Sequence, residues 1–488
     1  MAPHADETDH VVSNGLKEVS GNASENNSKP TSRSSSHLLK AQGAKSPSDI
    51  INSIITFRNP DHQFWWEKTG SQLATLLHYA GYSKADQYNE LLFYGIHVVP
   101  ELGPVPDANG DLRWRSPQTP DGTPLDLSWE WGLDGKGVIR TSFEPIGPLA
   151  GTKVDPFNRY ETDAWIRHLE EQGLVAGLDL EWYRHFKSSV LPSELERVRM
   201  TEKLNFELAP VAGTFVTRDV DLVKGPIIKM YIFPGLRAQE LGVSNLEIAS
   251  RAIESLPAAQ YQSLRPEPLL EYLHEAASKW SMDVGIFSFD LVSPEKSRIK
   301  IYTRAPHTTI EYLLDALTLG GRYDLSMYSA EAIADLKDFW KIFIGDAPEV
   351  LPNSGVQRAG PGFYFTVKAG KPATPKVYIS PASFSQNDAE VIARLRKYFE
   401  TRKNADKMLA QMDNYEKALK SIYGNQFLES QCDIHFYVSC ALQKDQLRVV
   451  TYLCPQTLSR EIQARKRQFE GAEDGYDQPA PKCSRLEQ

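Results

Sequence analysis

Residues 297–304 read SRIKIYTR, and this octapeptide shows best how the chain folds. Ile299 and Ile301 alternate in it with Arg298, Lys300 and Tyr302. Because successive side chains on a β-strand point to opposite faces, the two cations and the phenol share one face. The stretch therefore predicts a strand with one apolar face and one face that carries positive charge followed by a tyrosine.

The same order recurs in other strand-like segments. The matching residues are Lys229 and Tyr231 in PIIKMYIFP, Lys376 and Tyr378 in PKVYIS, His435 and Tyr437 in DIHFYVSC, Tyr452 in LRVVTYL, and Arg140 in GVIRTSFEP. On a single strand the pattern is typical of a solvent-facing sheet. Its repetition over several strands instead favours a closed barrel, whose lumen would hold a ring of positive charge above a ring of phenols.

The spacing of apolar residues predicts an alternation of helix pairs and strand pairs. The helical segments are 60–80, 83–97, 160–187, 244–256, 267–280, 307–319, 329–343, 386–401 and 405–422. The strands are 137–145, 211–219, 226–233, 285–291, 298–304, 362–368, 375–380, 433–440 and 446–453. Strand pairs joined by turns are typical of antiparallel hairpins, so we expect an α+β fold of repeated ααββ units.

Composition sets the expected domain boundaries. Residues 1–50 are rich in Ser, Asn, Lys and Glu and lack aromatics, which predicts a disordered leader. A single domain is expected over 51–458, and residues 459–488 read as a charged, loosely ordered tail.

Charge and apolar content exclude several classes of protein. The net charge of −9 disfavours a nucleic-acid partner. No signal peptide and no apolar run long enough for a membrane helix is found. Four cysteines near the C-terminus are too few for a disulfide framework. We therefore expect a cytoplasmic protein.

The repeated face of cations and tyrosines suits one kind of chemistry. Several Lys and Arg side chains that converge at low dielectric need an anion, and a diphosphate meets that need. Tyrosine rings offer π faces to a carbocation. Magnesium on paired aspartates could neutralise the same charge, but the sequence has no Asp-Asp pair, and Asp335 and Asp338 lie on a predicted helix. The motifs thus require no metal or other cofactor.

A long series of motifs resembles the fungal dimethylallyltryptophan synthase-type (ABBA) aromatic prenyltransferase family. In order, the motifs are FWWEKTGSQLATLLHYAGYS, FYGIHVVPELGPVP, SPQTPDGTPLDLSWEWG, IRTSFEPIGPLAGTKVDPFN, KMYIFPG, SRIKIYTR with TLGGR, PKVYIS, and a final strand pair with Tyr437 and Tyr452. The resemblance covers about residues 50–460. It implies the ABBA barrel, about ten antiparallel strands around a solvent-filled lumen ringed by helices.

The resemblance also implies roles for individual residues. Those that would hold the diphosphate are Arg140, Lys229, Arg298, Lys300 and Lys376, the last standing where many relatives carry Gln. Those that would shield the dimethylallyl cation are Tyr231, Tyr302, Tyr378, Tyr437 and Tyr452. The family's Glu-x-Ser motif, whose carboxylate accepts a hydrogen bond from the acceptor ring, is Asp126-Leu-Ser128 here. Asp126 or Glu130 would fill that catalytic role, and on an extended chain both share a face.

Two departures from the family bear on the acceptor. The arginine that binds the carboxylate of free tryptophan is missing around Ser281-Met282-Asp283, and the lysine of an early strand is replaced by Thr214-Phe215-Val216. The expected reaction is therefore transfer from dimethylallyl diphosphate to a neutral aromatic small molecule containing an indole. One alternative is prenylation of a phenolic or polyketide acceptor. The other is a non-catalytic barrel that binds a hydrophobic or anionic ligand. The oligomeric state stays open, with a homodimer as one option.

Overall fold

The computed structural model describes residues 45–203, 213–221, 225–352, 360–443 and 446–463. Within these ranges the fold begins with a helix over Pro47–Ile54, which Ser46 and Asp49 cap reciprocally. The last four residues of the predicted leader are thus helical, whereas residues 1–44 lie outside the described ranges. Residues 457–463 are also helical, and the rest of the predicted tail, 464–488, is not described.

Ten antiparallel strands form a closed barrel. Each strand pairs with its neighbours along the chain, and the first pairs with the last. The strands are β1 (Leu125–Trp131), β2 (Gly137–Phe143), β3 (Thr214–Asp221), β4 (Gly225–Ile232), β5 (Asp283–Asp290), β6 (Ile299–Arg304), β7 (Gly362–Lys368), β8 (Lys371–Ile379), β9 (His435–Gln443) and β10 (Gln446–Leu453). The predicted ABBA barrel is confirmed. The predicted strands omit β1, and residues 125–131 are extended, so that Asp126 and Glu130 share one face.

Helices surround the barrel. They are α1 (Pro47–Ile54), α2 (Pro60–Trp65), α3 (Ser71–Tyr79), α4 (Lys84–His97), α5 (Tyr160–Glu171), α6 (Glu181–Val190), α7 (Glu194–Lys203), α8 (Gly235–Leu241), α9 (Asn245–Glu254), α10 (Ala258–Leu264), α11 (Glu267–Lys279), α12 (Ile310–Thr318), α13 (Ala330–Ile344), α14 (Asp388–Glu400), α15 (Ala405–Tyr423) and α16 (Asn425–Ser430). Among the described residues, each helix is too short or too polar to traverse a lipid bilayer.

Two predicted helices are interrupted. The segment 160–187 ends its first helix at Glu171, because Gly173 and Gly177 adopt positive φ angles of 61° and 72° that a continuing helix cannot use. The segment 60–80 passes through a π-helical turn over Trp66–Gly70. A Cβ at Gly70 would lie 2.9 Å from the Trp66 ring, so this turn requires glycine there.

The outward face of the barrel forms the hydrophobic core. Large side chains from alternate strand positions, among them Trp129, Phe287, Phe289, Ile301 and Phe365, are fully buried beneath the helices. Burial of each such side chain contributes about 1.5–3 kcal/mol. This apolar layer fixes the strand register, because a one-residue slip would expose it. The register in turn fixes which side chains enter the lumen.

Candidate active site

The side chains that face the lumen form layers, because alternate strands of the antiparallel barrel run in the same direction. All even-numbered strands run in one direction, and on β4, β6, β8 and β10 a cation precedes a tyrosine, so these side chains build two layers. The first, here named the cation layer, contains Arg140, Lys229, Arg298, Lys300, Lys376 and Arg448. The second, named the tyrosine layer, contains Tyr231, Tyr302, Tyr364, Tyr378, Tyr437 and Tyr452. The structure thus brings together every diphosphate and shield residue that the sequence predicted.

Three carboxylates from odd-numbered strands enter the cation layer. Asp219 binds Lys229 at 2.5 Å and also pairs with Arg140. Asp290 lies 2.9 Å from Arg298 and 3.2 Å from Lys300.

Glu130 is the third carboxylate of this layer. It lies 2.6 Å from Arg140 and also pairs with Arg448. Among the described residues, the six cations of this layer thus face three carboxylates, which is a formal excess of three positive charges when all its lysines are protonated.

Lys376 differs from the other cations. It is only 5% exposed, and among the described residues no carboxylate oxygen lies within 4.0 Å of its Nζ. That nitrogen donates to the Tyr452 hydroxyl at 3.3 Å and lies 5.2–5.7 Å from the ring centres of Tyr364, Tyr378 and Tyr452. Among the described residues, the direct side-chain contacts of Lys376 are thus with phenols, at the boundary between the two layers.

Burial disfavours the charged form of the lysines in the cation layer. It lowers the pKa of Lys300 to about 7, which Asp290 only partly offsets. Burial also lowers the pKa of Lys376 well below its ordinary value, and Arg448 acts in the same direction. The pKa of Asp219 is held far below its usual range because Lys229 and Arg140 outweigh the effect of burial. A bound anion would favour the protonated lysines.

The pKa of Lys300 gives a testable pH dependence. Below about pH 7 this lysine is charged before an anion binds, whereas above it binding must bring in a proton. We expect the KM for a diphosphate substrate to rise above pH 7, by at most about tenfold per pH unit from this group. Steady-state kinetics over pH 6–9 measure the slope.

The matched control is Lys300→Arg, which stays charged throughout this range and should flatten the slope. An unchanged slope in this variant would contradict the assignment. Between pH 7 and 10.5, Lys300 is more protonated in the unfolded chain than in the native protein. This group therefore raises the free energy of unfolding of the unliganded protein as the pH rises through that range.

The tyrosine layer is continuous. Ring centres are 5.8 Å apart for Tyr231 and Tyr302, 5.0 Å for Tyr302 and Tyr364, and 5.6 Å for Tyr364 and Tyr378. From Tyr378 the contacts continue to Tyr437 at 5.6 Å and Tyr452 at 5.5 Å. Burial raises the pKa of Tyr231 to about 12, so its hydroxyl stays protonated. The layer offers π faces and few nucleophilic atoms to a carbocation.

Beyond the tyrosine layer lies a third group of inward side chains, here named the acceptor end. It comprises Asp126 and Arg304, and Phe215 borders it, since Phe215 is the cross-strand partner of Tyr231. Asp126 is 4% exposed and accepts a hydrogen bond from the Gln118 amide. Phe215 is the middle residue of the stretch that lacks the family's lysine, and its ring stacks on Tyr231 at 4.2 Å.

The two candidate carboxylates lie at opposite ends of β1. Ser128, between them in the strand, pairs with Arg140 of β2. Glu130 is occupied by Arg140 and Arg448 in the cation layer, whereas Asp126 lies at the acceptor end. This arrangement makes Asp126 the better candidate to orient an aromatic acceptor, and it gives Glu130 a part in organising the cations.

Sequence reasoning missed five lumen residues. They are Asp219, Asp290, Arg304, Tyr364 and Arg448. Each occupies an inward position in a segment already assigned as a strand, so the period of two would have found them. His435 was misplaced. A β-bulge beside it turns its ring outward, where it contacts Asp388 and Tyr415 in the core.

The layers of the lumen limit the families to which the chain can belong. A match to one family model then assigns it. The model of the tryptophan dimethylallyltransferase family matches residues 61–418. The chain belongs to this family. It is accordingly an aromatic prenyltransferase, and its barrel is the ABBA fold.

Individual relatives agree with this assignment to the tryptophan dimethylallyltransferase family. An aromatic prenyl transferase of Penicillium crustosum is 27% identical over 406 residues, covering 82% of this chain and 93% of the relative. A 4-O-dimethylallyl-L-tyrosine synthase of Claviceps purpurea is 29% identical over 408 residues, covering 81% and 88%. The crystal structure of AnaPT from Neosartorya fischeri superimposes with a TM-score of 0.72 at 23% identity, covering 84% of this chain and 98% of that one.

Proposed function

We propose that this prenyltransferase moves a dimethylallyl group from dimethylallyl diphosphate to an indole-containing secondary metabolite, without requiring a metal. A tryptophan-containing cyclic dipeptide or an indole diterpene is preferred over free tryptophan. The observation that carries the proposal is the cation layer with three excess positive charges directly above the tyrosine layer. A diphosphate and an allylic cation fit these two layers in that order.

Each group of lumen side chains would perform one part of the reaction. The cation layer would bind the diphosphate and stabilise the charge that grows as the carbon–oxygen bond of the prenyl donor breaks and its electron pair leaves with the diphosphate. The tyrosine layer would shelter the dimethylallyl cation from water. Asp126 would accept a hydrogen bond from the acceptor N–H and raise the nucleophilicity of the ring. The ring forms the new carbon bond and then loses a proton, which the released diphosphate can accept. Holding both substrates in line supplies the remaining acceleration.

A phenolic acceptor is the second candidate. The relative from Claviceps purpurea is named for O-prenylation of tyrosine, a phenol. Asp126 could accept a hydrogen bond from a phenolic O–H as readily as from an indole N–H.

Mass spectrometry of a mixed acceptor panel tests the proposal. Purified protein is incubated with dimethylallyl diphosphate and with free tryptophan, tryptophan-containing cyclic dipeptides, indole diterpenes and phenols. We expect a gain of one C5H8 unit on an indole compound other than free tryptophan. A preference for phenols would select the second candidate, and diphosphate binding without any adduct would point to a non-catalytic barrel.

The tyrosine layer makes a separate prediction at Tyr302. Tyr302→Ala removes a π face from the cation and admits water, so we expect about a tenfold higher ratio of prenyl alcohol to prenylated acceptor. Tyr302→Phe keeps the face and should stay close to the wild-type ratio. Chromatographic quantification of both products measures it. Equal ratios in the two variants would show that the ring does not shield the cation.

A further inference from the structure

Arg304 is a lumen cation that the diphosphate does not explain. It is the last residue of β6 and follows Arg298, Lys300 and Tyr302 at inward positions. The tyrosine layer therefore separates Arg304 from the cation layer. The three excess charges of that layer are sufficient for a diphosphate, and Arg304 lies at the other end of the lumen.

Within the described residues, the contacts of Arg304 use only a small part of its hydrogen-bonding capacity. Its Nη2 donates to the Tyr437 hydroxyl at 2.5 Å. Among the described residues no carboxylate oxygen lies within 4.0 Å of the guanidinium, although Asp283 is its backbone partner on β5. The partner on β7 is Gly362, which places no side chain beside it. A guanidinium has five N–H donors, and one of them is used by the Tyr437 hydroxyl.

We propose that Arg304 binds an oxygen of the acceptor, a carboxylate or a carbonyl, that is remote from the reacting ring. A half-buried guanidinium without a carboxylate partner favours an oxygen that bears negative or partial negative charge, and its planar fork can donate two parallel hydrogen bonds to it. The Tyr437 hydroxyl fixes the orientation of the fork. This inference rests on the proposed prenyl transfer and narrows its acceptor.

Asp126 and Arg304 then form a two-point site. Asp126 accepts a hydrogen bond from the N–H or O–H of the reacting ring, and Arg304 donates to an oxygen on the rest of the molecule. Phe215, stacked on Tyr231, offers a flat apolar wall to the ring. A compound must carry both functions to bind at both points, so Arg304 determines specificity.

The test compares Arg304→Met with wild type on three matched acceptors. Tryptophan offers a carboxylate, a tryptophan-containing cyclic dipeptide offers carbonyls, and 3-methylindole offers the ring alone. We expect kcat/KM of the variant to fall roughly ten- to a hundredfold for whichever oxygen-bearing acceptor wild type prefers, and by less than about threefold for 3-methylindole. A greater loss on tryptophan identifies the carboxylate, and a greater loss on the cyclic dipeptide identifies the carbonyl.

An equal fall for all three acceptors, or no fall for any, would overturn the proposal. The KM for dimethylallyl diphosphate should not change, which separates an acceptor role from general damage to the barrel. Arg304→Lys keeps the charge without the fork and should recover part of the loss if the variant is folded. Arg322→Met is the control, since this arginine pairs with Glu275 in the helical layer.

Failure of the proposed function would remain distinguishable. If wild-type protein prenylates none of the three, calorimetric binding of the same compounds in the presence of inorganic diphosphate still tests Arg304. Weaker binding of the oxygen-bearing compounds alone to Arg304→Met would support the inference, and equal binding to both proteins would overturn it.

Discussion

Replacement of Lys376 by methionine is expected to stabilise the unliganded protein and at the same time to lower kcat/KM for dimethylallyl diphosphate by about 10²–10³. The two effects have one cause. Lys376 is buried without a carboxylate within 4.0 Å among the described residues, so its charge is costly until the diphosphate binds. Methionine fills similar volume and removes that cost, about 1–3 kcal/mol.

Thermal unfolding with and without inorganic diphosphate measures the stability effect. Without diphosphate the variant should melt above wild type. With saturating diphosphate the difference in melting temperature should disappear or change sign, because the ligand stabilises wild type more than the variant. Lys376→Gln should retain more activity than Lys376→Met, because its amide can still donate a hydrogen bond.

The control for this prediction is Lys279→Met. Lys279 is an exposed lysine that pairs with Asp315 on the helical layer, and its removal should change neither quantity appreciably. A Lys376→Met variant that is both less stable and fully active would contradict the account of the cation layer.

Asp126→Asn carries the second large expected effect. We expect kcat/KM for an N–H acceptor to fall by about 10²–10³, because a neutral amide cannot raise the nucleophilicity of the ring as a carboxylate does. The same variant should change little with an N-methylated acceptor, which has no proton to donate. Steady-state kinetics with the matched pair of acceptors measure the difference.

Glu130→Gln is the contrast for Asp126. Glu130 pairs with Arg140 and Arg448 in the cation layer, so its replacement should alter the KM for the prenyl donor rather than discriminate between the two acceptors. Asp126→Glu restores the family's side chain and should keep measurable activity. Equal effects of Asp126→Asn on both acceptors would show that Asp126 does not contact the ring N–H.

The alternation of side chains along a strand, with a period of two residues, was sufficient to place most of the site residues from the sequence. Residues such as Lys300 and Tyr302 could be placed on one face because the apolar partners Ile299 and Ile301 leave no alternative register. The motif series then supplied the closure of the barrel, which local pattern cannot, since a lumen and a solvent-facing sheet look alike on one strand.

The missed carboxylates have a physical explanation. Asp219 and Asp290 lie near the ends of β3 and β5, which run opposite to the strands that carry the lysines. A search for a cation followed by a tyrosine reads only one strand direction. Reading the odd-numbered strands backwards would have placed these acids beside the cations.

The outward turn of His435 could not be predicted in this way. It depends on one extra residue in β9, and the alternation of polar and apolar residues in the sequence does not reveal such a bulge. The break between α5 and α6 was more accessible, because Gly173 and Gly177 mark it in the sequence.

The central claim is that the cation layer itself neutralises the departing diphosphate. Its most direct test measures prenylated acceptor and released diphosphate together, with wild-type protein dialysed against EDTA and again with added magnesium. The account predicts equal amounts of both products in EDTA and no dependence on magnesium. Activity that is absent in EDTA and restored by magnesium would contradict it, since a metal and not the lysines and arginines would then carry the charge.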